Sequence, residues 1–191
     1  MNDKLRCPWP AGKTNDIKYH DEEWGVPVHD DRKLFEFIVL DGFQAGLSWS
    51  TVLNKRENFR KAFDNFEPGV VALYGEKKIE KLLKDKGIIR NRLKINAAIT
   101  NAQHFLEVQK EFGSFDAYIW QFTGDKTRIN NWDNPNQVPA STAESDAMSK
   151  DLKKRGFRFV GTTICYAFMQ AAGMVNDHLI SCFRYDEINQ R

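Results

Sequence analysis

The sequence predicts an all-α fold, and three observations lead to that prediction. Apolar residues recur at the three- and four-residue spacing of a helix in several separate segments. No stretch of useful length alternates apolar and polar residues as a half-buried strand does. The chain has 191 residues, 41% of them hydrophobic and 28% charged, which is typical of one soluble domain with a sizeable core.

The helical segments follow one another from residue 32 onward, whereas residues 1–30 lack helical periodicity and residues 123–140, rich in Asn and Pro, predict a long surface loop. Ser141 and Glu144 have the spacing of a capping box at the start of one helix. We predict helices at 32–41, 49–63, 70–74, 77–84, 90–112, 115–122, 141–154, 162–172 and from 177 onward. Their predicted core positions include Leu34, Phe35, Ile38, Val39, Ile95, Ala98, Ile99, Ala102, Phe105 and Leu106.

The net charge of +2 is small, but basic residues are concentrated in two stretches. Residues 77–94 hold eight Lys or Arg, and residues 150–158 hold five. These stretches predict either a positive face for nucleic acid or two solvated helix faces. No apolar run is long enough to cross a bilayer, and the N-terminus lacks a signal-peptide pattern, so we expect a cytoplasmic protein without a membrane partner.

Four possible metal ligands lie near the two ends of the chain: Cys7, His20, His178 and Cys182. The total of three cysteines argues against a disulfide framework. Because His178 and Cys182 are four residues apart, a helix would place both on one face. Two Cys and two His would close a tetrahedral zinc site with no open position, which is typical of a structural metal. The alternative is buried cysteines and ordinary histidines.

A short turn bracketed by Gly156 and Gly161 joins two predicted helices. The helix that begins near Gly161 would expose backbone N–H groups suited to a phosphate. Lys154, Arg155 and Arg158 flank the turn and would add positive charge for a DNA backbone. The alternative is an ordinary pair of helices with a solvated basic turn.

Aromatic and acidic residues cluster in residues 19–25 and 40–49. Tyr19 and Trp49 beside the carboxylate of Asp41 suit a pocket for a flat cationic ring. Leu47, held between Gly46 and Ser48, is a candidate apolar wedge that fills the gap left by a flipped base. The alternative is a set of core aromatics with a helix break, in which Asp41 is only a polar helix terminus.

Several of these segments, in the same order, resemble the DNA-3-methyladenine glycosylase I family over most of the chain. The matching strings are YHDEEWGVP at 19–27, QAGLSW at 44–49, KREN at 55–58, GIIRNR at 87–92, KRGF at 154–157, GTTICY at 161–166 and VNDH at 175–178. The resemblance implies an all-α helix-hairpin-helix DNA glycosylase with one structural zinc ion per chain. It also implies that double-stranded DNA containing alkylated bases is the partner, and we expect a monomer.

The resemblance further assigns roles to individual residues. Cys7, His20, His178 and Cys182 fall on the zinc ligands, so that residues 1–30 and 174–191 would form a zinc-tied lobe of a single domain, 1–191. Tyr19 and Trp49 fall on base-pocket residues that act in catalysis, and Leu47 falls on the residue that enters the duplex. Trp9 and Trp24 resemble further pocket aromatics.

One position departs from the family. Asp41 stands where the family has a Glu that contacts the damaged base, so its carboxylate is withdrawn by about 1.5 Å.

For Asp177, which precedes a predicted zinc ligand, we expect a helix-capping or supporting role rather than catalysis. No lysine is evidently placed for Schiff-base chemistry, which favours a monofunctional enzyme. A rival hypothesis is a zinc-stabilised protein that binds lesions without cleaving.

Overall fold

The computed structural model describes residues 4–190, which are mainly helical. The helices are α1 Thr14–Glu22, α2 Asp31–Gln44, α3 Trp49–Leu53, α4 Arg56–Ala62, α5 Pro68–Val71, α6 Glu76–Lys84, α7 Arg92–Phe112, α8 Phe115–Trp120, α9 Ala143–Lys154, α10 Thr162–Ala171 and α11 Phe183–Asn189. Two short strands, β1 Arg128–Ile129 and β2 Val175–Asn176, pair in parallel. No helix of the described residues is long and apolar enough to cross a membrane.

Helix α2 runs through the centre of the core. The Asp30 side chain caps it by accepting a hydrogen bond from the Lys33 N–H at 2.8 Å. Every residue from 34 to 43 is buried, including the polar residues Glu36 and Asp41, so α2 packs against neighbours on all sides. Its neighbours are α3, α7, α8 and α10. The central position puts Asp41, near its C-terminal end, inside the protein.

Helix α7 is the longest helix and packs along α2. The Asn91 side chain caps its start, and Gly113, with a φ of 87°, ends it. The predicted inward residues of this helix are buried except Leu106, which is 37% exposed. The prediction for Leu106 was wrong because the buried face is centred on Phe105 and Ala102, and Leu106 lies at its edge.

Three local predictions also need correction. Residues 14–22 form α1, although the N-terminal segment lacks apolar periodicity. The predicted helix 49–63 divides at Asn54 and Lys55 into α3 and α4. The capping box at α9 uses Thr142 and Ser145 in place of Ser141 and Glu144, because the hydroxyl of Ser145 accepts the Thr142 N–H at 2.8 Å.

The segment after α10 differs most from prediction. No helix begins at Asp177; instead β2 pairs with β1 of the long loop, and a turn leads into α11, which starts at Phe183. The strand pair ties the loop to the body of the protein, because the Arg128 N–H donates to the Met174 carbonyl at 2.9 Å. The predicted loop is therefore held in place on one side of α10.

Candidate functional site

The four predicted metal ligands meet in one buried cluster. The side-chain donor atoms of Cys7, His20, His178 and Cys182 all lie within 4.8 Å of one another, and each residue is at most 5% exposed. The helical placement of His178 and Cys182 was wrong, since both precede α11 and the Cys182 N–H closes a turn onto the Leu179 carbonyl at 2.8 Å. The turn nevertheless brings both side chains to one point.

The spacing within the cluster fits a tetrahedral ion. The Cys182 Sγ lies 3.5 Å from both His20 Nε2 and His178 Nδ1, and the Cys7 Sγ lies 3.6 Å from His178 Nδ1. Zn–S and Zn–N bonds of about 2.3 and 2.0–2.1 Å at a tetrahedral angle separate S and N by about 3.6 Å. These four residues can therefore hold a metal ion at their centre.

Both histidines are oriented by a partner on the far side of the ring, which sequence reasoning missed. The Nδ1 of His20 is 2.8 Å from the Asp21 carboxylate, and the Nε2 of His178 is 3.0 Å from the Trp24 carbonyl. Such partners hold the N–H on the outer nitrogen and leave the inner nitrogen unprotonated toward the metal.

The pKa values of the two thiols, Cys7 and Cys182, shift in opposite directions. A hydrogen bond with Cys7 lowers the pKa of Cys182 strongly, and those with His178 and His20 lower it further. The bond with Cys182 and burial raise the pKa of Cys7. A thiolate beside two imidazole nitrogens is a donor set that binds a divalent cation.

A cavity of about 290 Å³ lies beside this cluster and opens to solvent. This volume is at the small end of ligand pockets, which suits a flat fragment the size of a base. The cavity lies between the N-terminal segment, the end of α2, α10 and the loop that carries β1. Its lining residues are Cys7, Pro8, Trp9, Tyr19, Trp24, Asp41, Gln44, Trp49, Pro135, Val138, Ala167, Gln170, Ala171, Asp177 and Leu179.

The predicted aromatic residues meet in this cavity. The Tyr19 and Trp49 ring centroids are 5.1 Å apart at an interplanar angle of 50°, and Trp9 lies 6.3 Å from Tyr19 and 5.3 Å from Trp24. The rings contact one another at a tilt and together form the aromatic wall of the cavity. Electron-rich ring faces favour a cationic ligand.

Two polar atoms of the cavity wall have no hydrogen-bond partner. The Oδ2 of Asp41 is a buried acceptor, and the Nε1 of Trp49 is a buried donor. Leaving such groups unpaired costs about 1–3 kcal/mol each. A ligand that donates to the carboxylate and accepts from the indole would remove that cost. Asp41 thus lies in the last turn of α2, is buried and lines the cavity.

Burial and one nearby cation control the charge at the cavity. Burial raises the pKa of Asp41 well above its ordinary value, and the Arg56 guanidinium opposes that rise. Burial also raises the pKa of Tyr19, and the Asp41 carboxylate adds to the effect. Arg56 itself forms ion pairs with Glu36 at 2.5 Å and Glu23 at 2.9 Å. The sequence analysis included Arg56 only as part of the KREN string at 55–58 and assigned it no role.

Asp177 also lines the cavity, but its carboxylate is fully engaged. It accepts hydrogen bonds of 2.7 Å from four side chains: Asn130, Trp132, Tyr166 and Gln170. Four donors use the acceptor capacity of a carboxylate. Of the two roles expected for Asp177, a helix cap or a supporting residue, the helix cap was wrong, since no helix starts there. Asp177 instead fastens the loop carrying Asn130 and Trp132 to α10.

The chain leaves α2 through a tight turn at residues 44–47. Ala45 has φ −46° and ψ 116°, Gly46 has φ 77°, and the Leu47 N–H donates to the Gln44 carbonyl at 2.6 Å. These values define a type II turn, which requires a positive φ at its third residue and so favours glycine there. Leu47 is 43% exposed at the tip of this turn.

A second exposed turn joins α9 to α10. The Phe157 N–H bonds the Leu152 carbonyl and the Gly156 N–H bonds the Lys153 carbonyl, both at 3.0 Å, which is the Schellman pattern. Gly156 has φ 96°, and a Cβ there would overlap the His104 ring. At Gly161, the N-cap of α10, a Cβ would meet no atom within 4 Å. The two glycines therefore differ: Gly156 is required by the fold, whereas Gly161 is open.

The basic side chains of this turn have different surroundings. Lys154 and Arg158 are exposed or partly exposed at the turn. Arg155 pairs with Asp151 at 2.8 Å and with Glu111 at 2.7 Å, and it lies over the ring of Phe112. These ion pairs raise the pKa of Arg155 and hold its guanidinium against the protein.

Comparison with known proteins places the fold and the cavity in context. The DNA-3-methyladenine glycosylase 1 of Escherichia coli (strain K12) is 51% identical over 180 residues, covering 94% of this chain and 96% of the relative. A crystal structure of 3-methyladenine DNA glycosylase I matches at 51% identity with a TM-score of 0.92, covering 94% of this chain and 98% of that one. A variant of 3-methyladenine DNA glycosylase I in complex with 3-methyladenine matches at 31% identity with a TM-score of 0.90, covering 93% and 96%.

The family model described as methyladenine glycosylase matches residues 9–185. That range holds all the aromatic residues of the cavity, both exposed turns and three of the four predicted metal ligands. The chain therefore belongs to the methyladenine glycosylase family.

Proposed function

We propose that this protein is a DNA repair glycosylase that flips 3-methyladenine out of alkylated DNA and hydrolyses its N-glycosidic bond. The observation that carries the proposal is the aromatic cavity with two unpaired polar atoms, the Asp41 carboxylate and the Trp49 indole N–H. A methylated, cationic adenine offers an exocyclic amine for the first and a ring nitrogen for the second, and its charge favours ring faces and a carboxylate.

Cleavage of the N-glycosidic bond needs little acid catalysis of the leaving group. Methylation at N3 makes the base cationic, so it departs as a neutral molecule and the bond is already weak. Tyr19 and Trp49 stack on the cation, Asp41 contacts its edge, and water attacks an oxocarbenium-like sugar. Asp177 is held by four donors and positions the pocket wall without activating the water.

The enzyme acts as a monofunctional hydrolase. Schiff-base chemistry needs an amine at the sugar, and the described residues that line the cavity include no lysine. Water is therefore the nucleophile that completes the reaction.

Double-stranded DNA binds at the two exposed turns. The turn between α9 and α10 forms a helix-hairpin-helix contact, and the turn that carries Leu47 forms a wedge. Free N–H groups at the start of α10, near Gly161, bind a phosphate, and Lys154 and Arg158 add positive charge. Leu47 enters the stack where the flipped base was. Arg155 keeps a packing role, since its guanidinium is engaged by Asp151 and Glu111.

The metal ion is one structural zinc, bound by Cys7, His20, His178 and Cys182. Two sulfur and two nitrogen donors with tetrahedral spacing favour zinc, and four protein ligands leave no position for a catalytic water. The ion would tie residues 4–30 to residues 174–190 as one lobe of a single-domain monomer; residues 1–3 and 191 of the predicted lobe lie outside the described residues.

An assay of base release from methylated duplex DNA tests this function. Turnover of free 3-methyladenine supports the enzyme, with heat-inactivated protein as the control for spontaneous depurination. The rival is a zinc-stabilised protein that binds lesions, which the shorter Asp41 carboxylate favours. Tight binding of methylated DNA without release would establish the rival and refute the glycosylase.

A further inference from the structure

A buried lysine lies directly beneath the turn that carries Leu47. Lys94, in the first turn of α7, is only 8% exposed. Its Nζ donates to the Phe43 carbonyl at 2.8 Å and to the Ala45 carbonyl at 2.6 Å. The last carbonyls of a helix have no partner within the helix, and a cation at that end is favourable. Lys94 therefore caps the C-terminus of α2 from a different helix.

The bond to Ala45 has a second consequence, for the shape of the turn. A type I turn differs from a type II turn by a rotation of about 150° of the peptide between its second and third residues. Here that peptide joins Ala45 to Gly46, so its oxygen is the one that Lys94 binds. After the rotation the oxygen would point away from α7. Lys94 can make this bond only while the turn is type II.

The bond from the Leu47 N–H to the Gln44 carbonyl closes type I and type II turns alike, so it does not select between them. A Cβ at Gly46 would meet no atom within 4 Å, and the Leu47 side chain is exposed. The Ser48 side chain is committed to the start of α3, where it accepts the Thr51 N–H at 3.3 Å. The direction in which Leu47 points thus depends on the conformation that Lys94 fixes.

We propose that Lys94 is a positioning residue for base flipping: it selects the type II conformation of residues 44–47 and so aims Leu47 into the DNA stack. The proposal rests on the proposed function, in which Leu47 is the wedge. Lys94 touches neither the base pocket nor the reacting atoms, and it acts only through Leu47.

The same face of α7 provides a matched control. Asn101 lies seven residues after Lys94, two turns along the helix. It holds the other exposed turn, accepting the Arg158 N–H at 2.7 Å and donating to the Arg158 carbonyl at 3.0 Å. Like Lys94, Asn101 is a buried polar side chain that hydrogen-bonds the backbone of an exposed turn. Its replacement leaves the turn of Leu47 unchanged.

A double-mutant cycle in the full-length protein tests the proposal, with excision of 3-methyladenine from duplex DNA under single-turnover conditions as the readout. We expect Lys94→Met to lower the rate by about 10- to 100-fold, as a misplacement of about 1 Å would. In a Leu47→Gly background, Lys94→Met should have no further effect, whereas the effect of Asn101→Ala should be retained in full. Binding of free 3-methyladenine to Lys94→Met should equal that of wild type, since the pocket is intact.

Two results would overturn the inference while leaving the enzyme intact: wild-type excision by Lys94→Met, or a loss that is undiminished in the Leu47→Gly background. Wild-type excision by Leu47→Gly would instead refute the wedge, and with it the role of Lys94. If Lys94→Met does not fold, Lys94→Gln, which stays polar but is too short to reach both carbonyls, is measured against the same criteria.

Discussion

Replacing Asp41 with Asn tests the base pocket directly. The substitution keeps the size of the side chain and removes the carboxylate, and with it the negative charge that faces the cavity once Asp41 ionises. A hydrogen bond to a charged group contributes about 1.5–3 kcal/mol, which corresponds to roughly 10- to 150-fold in rate. We expect Asp41→Asn to lower single-turnover excision of 3-methyladenine by that factor while the metal content and the fold are retained.

The same variant should be more stable than wild type at neutral pH. Burial raises the pKa of Asp41, so above about pH 4 the native state keeps a proton that the unfolded chain has lost. Stability then falls as pH rises from the unfolded pKa toward the raised folded pKa. Asn does not titrate, so the difference in Tm between Asp41→Asn and wild type should grow with pH. Excision by wild type should rise as the pH passes through the raised folded pKa, where the native carboxylate ionises.

Asp41→Glu provides the opposite perturbation. Its extra methylene, about 1.5 Å, can extend into the cavity and restore direct contact with the base edge. We expect activity equal to or above wild type, because a shortfall of about 1 Å can cost on the order of 100-fold. Wild-type excision by Asp41→Asn, measured in the same single-turnover assay, would refute the assignment of Asp41 as the base reader.

Three further variants address the DNA contacts and the metal. Leu47→Gly should slow excision from duplex more than from single strands, because only a duplex has a stack to refill; equal slowing on both would count against the wedge. A Cβ at Gly161 would meet no atom within 4 Å, so Gly161→Leu should fold, yet it should weaken DNA binding at every sequence, as measured by fluorescence anisotropy. Unchanged affinity would exclude the phosphate site. Cys182→Ala should lose zinc, as measured by metal analysis, and melt at a lower temperature. Full zinc occupancy in that variant would exclude Cys182 as a ligand.

The helices that sequence reasoning placed best are those whose periodicity reflects a buried face. Residues 34–43 and 95–105 fall into this class, and both segments are central to the core. Helix α1 was missed because it is short and its buried residues are Asp16, Tyr19 and His20, which do not form an apolar stripe. The position of α1 depends on its contacts with α3, a helix that is distant from it in the sequence.

The aromatic residues and Asp41 of the candidate site could be predicted from the sequence, but the contacts between them could not. The residue types of Tyr19, Asp41 and Trp49 predicted a cavity for a cation, and the structure brings them together there. No sequence pattern indicated that Asp177 would accept hydrogen bonds from four side chains or that Lys94 would cap α2, because both sets of contacts join segments that are not adjacent in the chain. A lone charged residue in a helix pattern is ordinarily a solvated one.

The metal cluster and the base cavity share a wall. Cys7 and Leu179 line the cavity while they contact each other within the cluster, where the Leu179 N–H donates to the Cys7 sulfur at 3.4 Å. Trp9, two residues from Cys7, reaches the cavity on the same segment. With the proposed zinc ion bound there, its removal should release this segment and weaken base binding without changing the bond-cleavage step. We therefore expect chelation to raise KM more than it lowers kcat, and a fall in kcat alone would point to a metal that acts in the chemistry.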